Sequence, residues 1–264
     1  MTVGFTSCNK DDDPFKDLVS GAFDGVITAQ VENGNAYNNL VKRVGIGTWE
    51  GWNQEQGIDI FTVFASAPYA NGGFTLTLPQ TVEAEFLSPW DDDDDEFYSD
   101  LKISDKNAQI MGMAEFGAYS STSSDFDDYD RVGWIHFGKE EFDGNYGTGT
   151  GTYNYARALF VYADRDVAMV GTVTWSDTWD GVTYTQIEKH SVSLKKGWNI
   201  MYFTQSENYV NGERQGTTEE IHITTATPSG LKWLGNIYGP YGSPAKQAKS
   251  VRERGHKRFA RLGR

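Results

Sequence analysis

The stretch from Ala156 to Phe203 constrains the fold most. It opens on Ala-Arg-Ala-Leu-Phe-Val-Tyr-Ala, then alternates: Val167, Met169, Gly171, Val173 and Trp175 fall on one face, and Ala168, Val170, Thr172 and Thr174 on the other. A period of two belongs to a half-buried strand. Asp180-Gly181 reads as a hairpin turn because both residue types tolerate positive φ. Lys195-Lys196-Gly197 reads as a second reversal, after which Trp198, Ile200 and Tyr202 resume the alternation. The spacing predicts an antiparallel meander with Trp175 and Trp198 on its buried side.

The rest of the chain repeats this grammar. Gly21 to Val31 alternates and stops at Asn33-Gly34, Leu40 to Gly47 and Ile58 to Ala67 are strand-like, and Asn71-Gly72-Gly73 feeds a strand that Pro79 ends. Ile103 to Phe116, Arg131 to Phe137 and Glu219 to Thr225 follow, with a turn at Asn211-Gly212 and a closing segment at Pro228 to Trp233. In 264 residues, 29 glycines and 37 aromatics (8 Trp, 14 Tyr, 15 Phe) suit short strands joined by tight turns. The expected class is all-β: an antiparallel β-sandwich built from meanders and hairpins, as one large or two small domains. The expected division is a tether over 1–17, β halves or domains over 18–100 and 101–239, and a basic tail over 240–264.

Charge is distributed unevenly. The net value is −14, yet Pro244 to Arg264 carries eight Lys or Arg against Glu253 alone; the remainder has 15 basic and 36 acidic side chains, a charge of −21. Such a surface repels nucleic acid and anionic lipid, so neither is expected as a partner of the body. The tail reads as disordered or as read-through and is left out of the fold.

One cysteine, Cys8, excludes an internal disulfide and a cysteine zinc site. It follows Phe5-Thr6-Ser7 and precedes Asn9-Lys10-Asp11-Asp12-Asp13. The first run resembles the lipobox end of a bacterial lipoprotein signal, and Lys-Asp-Asp resembles the export tag of Bacteroidetes surface lipoproteins. That resemblance implies lipidation of Cys8, residues 9 to 17 as a flexible tether, and an address on the outer face of the outer membrane. It departs from the pattern in having seven residues before Cys8, with no basic or long apolar region; the alternative is a free, exposed cysteine. With no apolar run long enough to span, membrane attachment is expected through lipid alone.

Catalytic signatures are missing from the sequence. It contains no Gly-x-Ser-x-Gly elbow and no His-Glu-x-x-His, and His136, His190, His222 and His256 are widely separated. The Gly144 to Gly151 stretch has strand, not helix, behind it and so is no phosphate cradle. Asp91 to Glu96 lacks the glycine and distal glutamate of a calcium loop, and Asp125, Asp127, Asp128 and Asp130 are a weak second candidate. No metal and no cofactor is expected. Carboxylate pairs for glycoside hydrolysis are too abundant here to single one out.

Four motifs carry a wider resemblance: Ala67 to Leu78, Ile103-Ser-Asp-Lys-Asn-Ala108, Phe160 to Gly171, and Ser193-Leu-Lys-Lys-Gly-Trp-Asn199. Together they resemble a broad group of uncharacterised gut-Bacteroidetes surface lipoproteins with β-sandwich-like bodies. The likeness covers Gly21 to Trp233 and implies location and architecture, with no site residues to carry over.

The functional expectation is a non-enzymatic surface binding or accessory module, with carbohydrate as the preferred ligand. Trp49, Trp52, Trp90, Trp175, Trp179 and Tyr184 lie in or beside turns, where a ring can stack on a sugar while Asp or Asn bonds its hydroxyls. The candidate contacts are Trp179 with Asp177 and Asp180, and Trp49 with Trp52. The alternatives are a structural or adhesive module for an outer-membrane protein partner and, behind both, a glycoside hydrolase.

Overall fold

The computed structural model describes residues 13–53, 58–89, 98–124, 130–179 and 181–238, and of 50–53, 58–60, 98–99 and 179 the backbone alone. The expectations for Cys8, Trp90, Asp91 to Glu96, Asp125 to Asp128, Asp180 and the basic tail lie outside the described residues.

The fold is all-β. Its strands are β1 (Val26–Gln30), β2 (Arg43–Asn53), β3 (Ile58–Pro68), β4 (Gly73–Thr77), β5 (Ser88–Pro89), β6 (Tyr98–Ser99), β7 (Lys102–Ile103), β8 (Gln109–Tyr119), β9 (Arg131–Asn145), β10 (Thr150–Ala163), β11 (Val167–Trp179), β12 (Val182–Leu194), β13 (Gly197–Val210), β14 (Glu213–Arg214), β15 (Thr218–Thr224) and β16 (Lys232–Ile237). β1 and β4 form a separate ribbon. The others join one 14-stranded sheet whose main path runs β3-β2-β8-β9-β10-β13-β15-β12-β11-β6.

The β10–β13 pair lies at its centre, in unbroken antiparallel register from Gly151 opposite Tyr209 to Ala163 opposite Gly197. Both faces of its upper half are buried. Ala158, Phe160 and Tyr162, with Trp198 and Tyr202, enter a first core closed by Ile27 and Ala29 of β1 and Phe74 and Leu76 of β4. Leu159, Val161 and Ala163, with Met201 and Phe203, enter a second core closed by Val167, Met169, Val192, Leu194, Ile221 and Ile223. Two-sided burial is why this segment reads as a continuous apolar run where its neighbours alternate. The second core is walled by strands of the same sheet, so that sheet rolls around it.

Strands change partners where the sheet divides. β8 bonds to β10 through Ile110, Met111 and Ala114, then to β9 through Phe116 to Tyr119. β9 bonds to β16 over Gly133 to Gly138 and to β10 from Gly138 onward. Gly138 sits at the crossing, and a Cβ there would lie 2.5 Å from the Ala156 carbonyl oxygen. β2, from the first half of the chain, bonds to β8 from the second.

The structure corrects the expected meander. β11 and β12 form the predicted hairpin, with Trp179 opposite Val182 across a two-residue loop and Gly181 at φ 77°. β10 is bonded instead to β13, and β15 lies between β13 and β12, parallel to the latter. Lys195-Lys196-Gly197 is therefore an arch between walls of the rolled sheet rather than a hairpin. Side chains close it: fully buried Asn199 accepts from the Lys195 amide at 2.8 Å and donates to the Lys195 and Gly197 carbonyls. Asp166, in the facing arch between β10 and β11, accepts from the Lys196 amide and from Lys195 Nζ.

Other expectations shift for local reasons. The strand predicted over Gly21 to Val31 begins only at Val26, because Gly25 turns the chain at φ 77°; Ser20 and Ala22 make single bridges to Ser193 and Asn199. The run from Ile103 to Phe116 is broken where Asp105 accepts from the Asn107 amide. Trp198 is buried as expected, whereas Trp175 is only half-buried.

Candidate functional site

The alternation that builds the second core continues past its apolar end, and there the same inward positions become polar. On β12, Leu194, Val192, His190, Glu188 and Gln186 share a face. On β13, Phe203 is followed at the same parity by Gln205, Glu207 and Tyr209, and on β15 Ile223 and Ile221 by Glu219. On β10, Leu159 gives way to Arg157 and Tyr155. Polar groups at core positions are costly unless bonded, and here they bond to one another.

The result is a polar belt across six strands. Trp49 of β2 donates from Nε1 to Glu115 Oε2 of β8 at 2.9 Å, and Arg157 of β10 donates from Nη2 to Glu115 Oε1 at 2.7 Å. Tyr155 lies directly opposite Gln205, whose amide donates to Glu207 at 3.1 Å and to Glu219 of β15. Arg214 draws the same two carboxylates together, with Nη1 at 3.1 Å from Glu207 and 3.5 Å from Glu219, while the Tyr209 hydroxyl donates to Glu207 at 2.7 Å. Glu219 faces Gln186 of β12, which donates to Glu188, and Glu188 lies 3.5 Å from His190 Nε2. Trp175 of β11 stands opposite Gln186 and flanks this end.

The belt is buried at its β12 end, where Gln186, Glu188 and His190 are 5–7 % exposed, and open at its β2 end, where Trp49 is 39 % exposed. Burial holds the Tyr155 hydroxyl above its ordinary value, against the pull of Arg157. For Arg157 itself burial opposes the charge, but Glu115 and Tyr155 outweigh it and keep the guanidinium firmly protonated.

At the open end four side chains cluster. The Trp49 ring lies 5.1 Å from Phe61 and 5.6 Å from Trp134, and Phe61 and Trp134 meet edge to face at 5.4 Å. The Arg131 guanidinium sits 4.0 Å over Trp134, 5.1 Å over Trp49 and 5.6 Å over Phe61, in the range of cation–π attraction. An aromatic surface therefore adjoins a chain of carboxylates and amides.

Of the residues singled out in sequence, Trp49 belongs to this site. Trp52 lies further along β2, opposite Asp59. Asp177 and Trp179 lie at the other end of the sheet path, at the tip of the β11–β12 hairpin, with Asp177 exposed and opposite Tyr184. The strand order separates this hairpin from β2 by β8, β10, β13 and β15. Sequence reading missed Glu115, Arg131, Trp134, Arg157, Gln186, Glu188, His190, Gln205, Glu207, Arg214 and Glu219. The available signal was a polar residue at core parity, as in Gln186-x-Glu188-x-His190 ahead of Val192 and Leu194.

Comparison of the chain with protein-family models, with curated proteins and with solved structures found no match. Among the described residues, no helix is long and apolar enough to cross a membrane, and no group of three or more His, Cys, Asp or Glu side chains is arranged to hold a metal ion.

Proposed function

We propose that the chain is a non-catalytic surface binding module for carbohydrate, taking its ligand at the open end of the polar belt. The observation that carries this reading is Trp49: a large exposed ring, fixed by Glu115 and by two neighbouring aromatics, on an otherwise well-packed sheet. Carbohydrate recognition combines an aromatic face against sugar C–H groups with amide and carboxylate oxygens for its hydroxyls, and both lie side by side here. The same reading places the module at the outer membrane of a Bacteroidetes-type cell, held by lipid on Cys8, with Thr6-Ser7-Cys8 and the acidic run behind it as support.

A protein partner of the outer membrane is the second reading. What favours it is β3, the terminal strand of the sheet path, since an edge strand is a template for strand addition.

The two readings separate in one titration. Tryptophan fluorescence of the protein, followed against a panel of neutral host and plant glycans, should change saturably with one glycan class and lose that response in Trp49→Ala. Silence across the panel overturns the carbohydrate reading.

A further inference from the structure

Beyond its apolar part, the second core gives way to an inner surface that is aromatic as well as polar. In its first row Glu140 of β9 is opposite Tyr155 of β10, Tyr155 opposite Gln205 of β13, Gln205 opposite Ile221 of β15, and Ile221 opposite Glu188 of β12. In the next row Phe142 is opposite Tyr153 and Tyr153 opposite Glu207, while Glu219 is opposite Gln186 and Gln186 opposite Trp175. Two residues further on lie Tyr209 of β13 and, across the trough, Tyr184 of β12 opposite Asp177 of β11. Exposure rises along this direction. Leu159, Val192 and Phe203 are buried, whereas Tyr153, Tyr155, Glu207, Tyr209 and Tyr184 are all half-buried. The rings support one another: Phe142 meets the exposed Tyr146 at 4.9 Å, and Tyr155 meets Phe203 edge to face at 5.8 Å.

The inward positions of these rows hold five carboxylates, Glu140, Glu188, Glu207, Glu219 and Asp177, and neither Lys nor Arg. His136 stands 3.4 Å from Glu140, and His190 3.5 Å from Glu188. Arg157, in the row above, is matched by Glu115 at 2.7 Å. One guanidinium reaches in from outside. Arg214 of β14, opposite Tyr209, sets Nη1 at 3.1 Å from Glu207 and 3.5 Å from Glu219. Arg214 shows what the surface accepts, because it is an organic cation held between two carboxylates, with a tyrosine alongside whose hydroxyl bonds to one of them. It does not balance the five carboxylates of the trough.

We infer that this aromatic and acidic trough is a second binding site, for an extended organic polycation whose ammonium groups are carried on a small molecule. An ammonium is attracted to the face of an aromatic ring and to a neighbouring carboxylate, and both attractions strengthen where water is partly excluded. An anionic ligand would face the carboxylates. A neutral sugar would draw on the rings and gain nothing from the charge. The inference stands apart from the reading at Trp49, which lies at the β2 end of the belt.

Calorimetric titration of the full chain with a glucosamine tetramer and with spermine tests it, in a slightly acidic, low-salt buffer that keeps the amines protonated. The N-acetylglucosamine tetramer, the same sugar chain without its charges, is the comparator. Either polycation should bind and the acetylated chain should not; the tighter of the two tells an amino-sugar source from an aliphatic polyamine. Binding should weaken about tenfold or more in Glu207→Gln/Glu219→Gln, weaken also in the more exposed Glu140→Gln and with added salt, and stay unchanged in Trp49→Ala. Absence of binding by both polycations, equal binding of the acetylated chain, or binding that ignores the glutamate variants overturns it.

Discussion

Arg157 donates from Nη2 to Glu115 Oε1 at 2.7 Å across the β8–β10 boundary, near the point where β8 exchanges β10 for β9 as its partner. Both side chains are less than a fifth exposed, and Glu115 is held by Trp49 as well. The ion pair thus ties the division of the sheet to the exposed aromatic surface. Breaking a pair of this kind by removing one partner costs about 3 kcal/mol. Arg157→Met should lose that much in chemical denaturation. Glu115→Gln/Arg157→Met should recover a large part, because no buried charge is then left behind.

Asn199 is fully buried and its side chain makes three hydrogen bonds within the Lys195-to-Gly197 arch. Asn199→Ala leaves one amide and two carbonyls without those bonds, and each such loss is worth about 1 kcal/mol or more. A drop of roughly 3 kcal/mol in unfolding free energy is expected, read by denaturant titration.

Two glycines should respond in opposite ways. Gly171 has φ 141°, and an added Cβ would lie 2.8 Å from the Asp100 carbonyl oxygen and 2.9 Å from Leu101 Cα. Gly171→Ala should destabilise the protein by about 1–3 kcal/mol. Gly112 has no atom within 4 Å of the same position, so Gly112→Ala should be neutral or stabilising by up to about 1 kcal/mol. Paired thermal melts distinguish them.

Acid should loosen the arches. A hydrogen bond from Arg165, aided by the Gln109 amide, holds Asp164 below the usual carboxylate range; Lys195 and the Lys196 amide do the same for Asp166. A lowered folded-state value contributes stability above the ordinary aspartate range, near about pH 4, and loses it as pH falls through the lowered value. Asp166→Asn should therefore be less stable at pH 7 and show a shallower decline in melting temperature between about pH 5 and 2.

Base should act on Tyr69. Burial, with Tyr37 nearby, raises its hydroxyl to about 12, and the hydroxyl donates to the Gly34 carbonyl at 3.0 Å. Here the neutral form is favoured, so the contribution is complete below the ordinary tyrosine value of about 10 and is lost as pH rises through 12. Absorbance titration of wild type against Tyr69→Phe should assign one late-ionising tyrosine to this position.

Much of the architecture was legible because its causes are local. Asn211-Gly212 announced a two-residue hairpin turn, and both residues have positive φ, 52° and 79°, between Val210 and the paired Glu213. Asn71-Gly72 behaves likewise at 53° and 77°. The parity of Val167, Met169 and Val173 announced which face of β11 turns inward. Such signals depend on backbone sterics and on a side-chain period of two, and neither needs knowledge of a distant strand.

Pairing needs that knowledge. The polar residues at the lower end of the second core illustrate the difference. Read alone, Gln186, Glu188, Gln205 and Glu219 sit at inward parity without visible partners, and Arg157 interrupts an apolar run. The sequence by itself determined an all-β chain, the places of most strands and turns, and the inward parity at the apolar end of β11. The tertiary structure alone decided that β13 returns to β10, that β15 separates β13 from β12, and that Trp49, Glu115, Arg157, Gln205, Glu219 and Glu188 align into one belt. The physical reason is that hydrogen bonds between strands are satisfied equally well by many partners, so the choice rests on how the two cores close together.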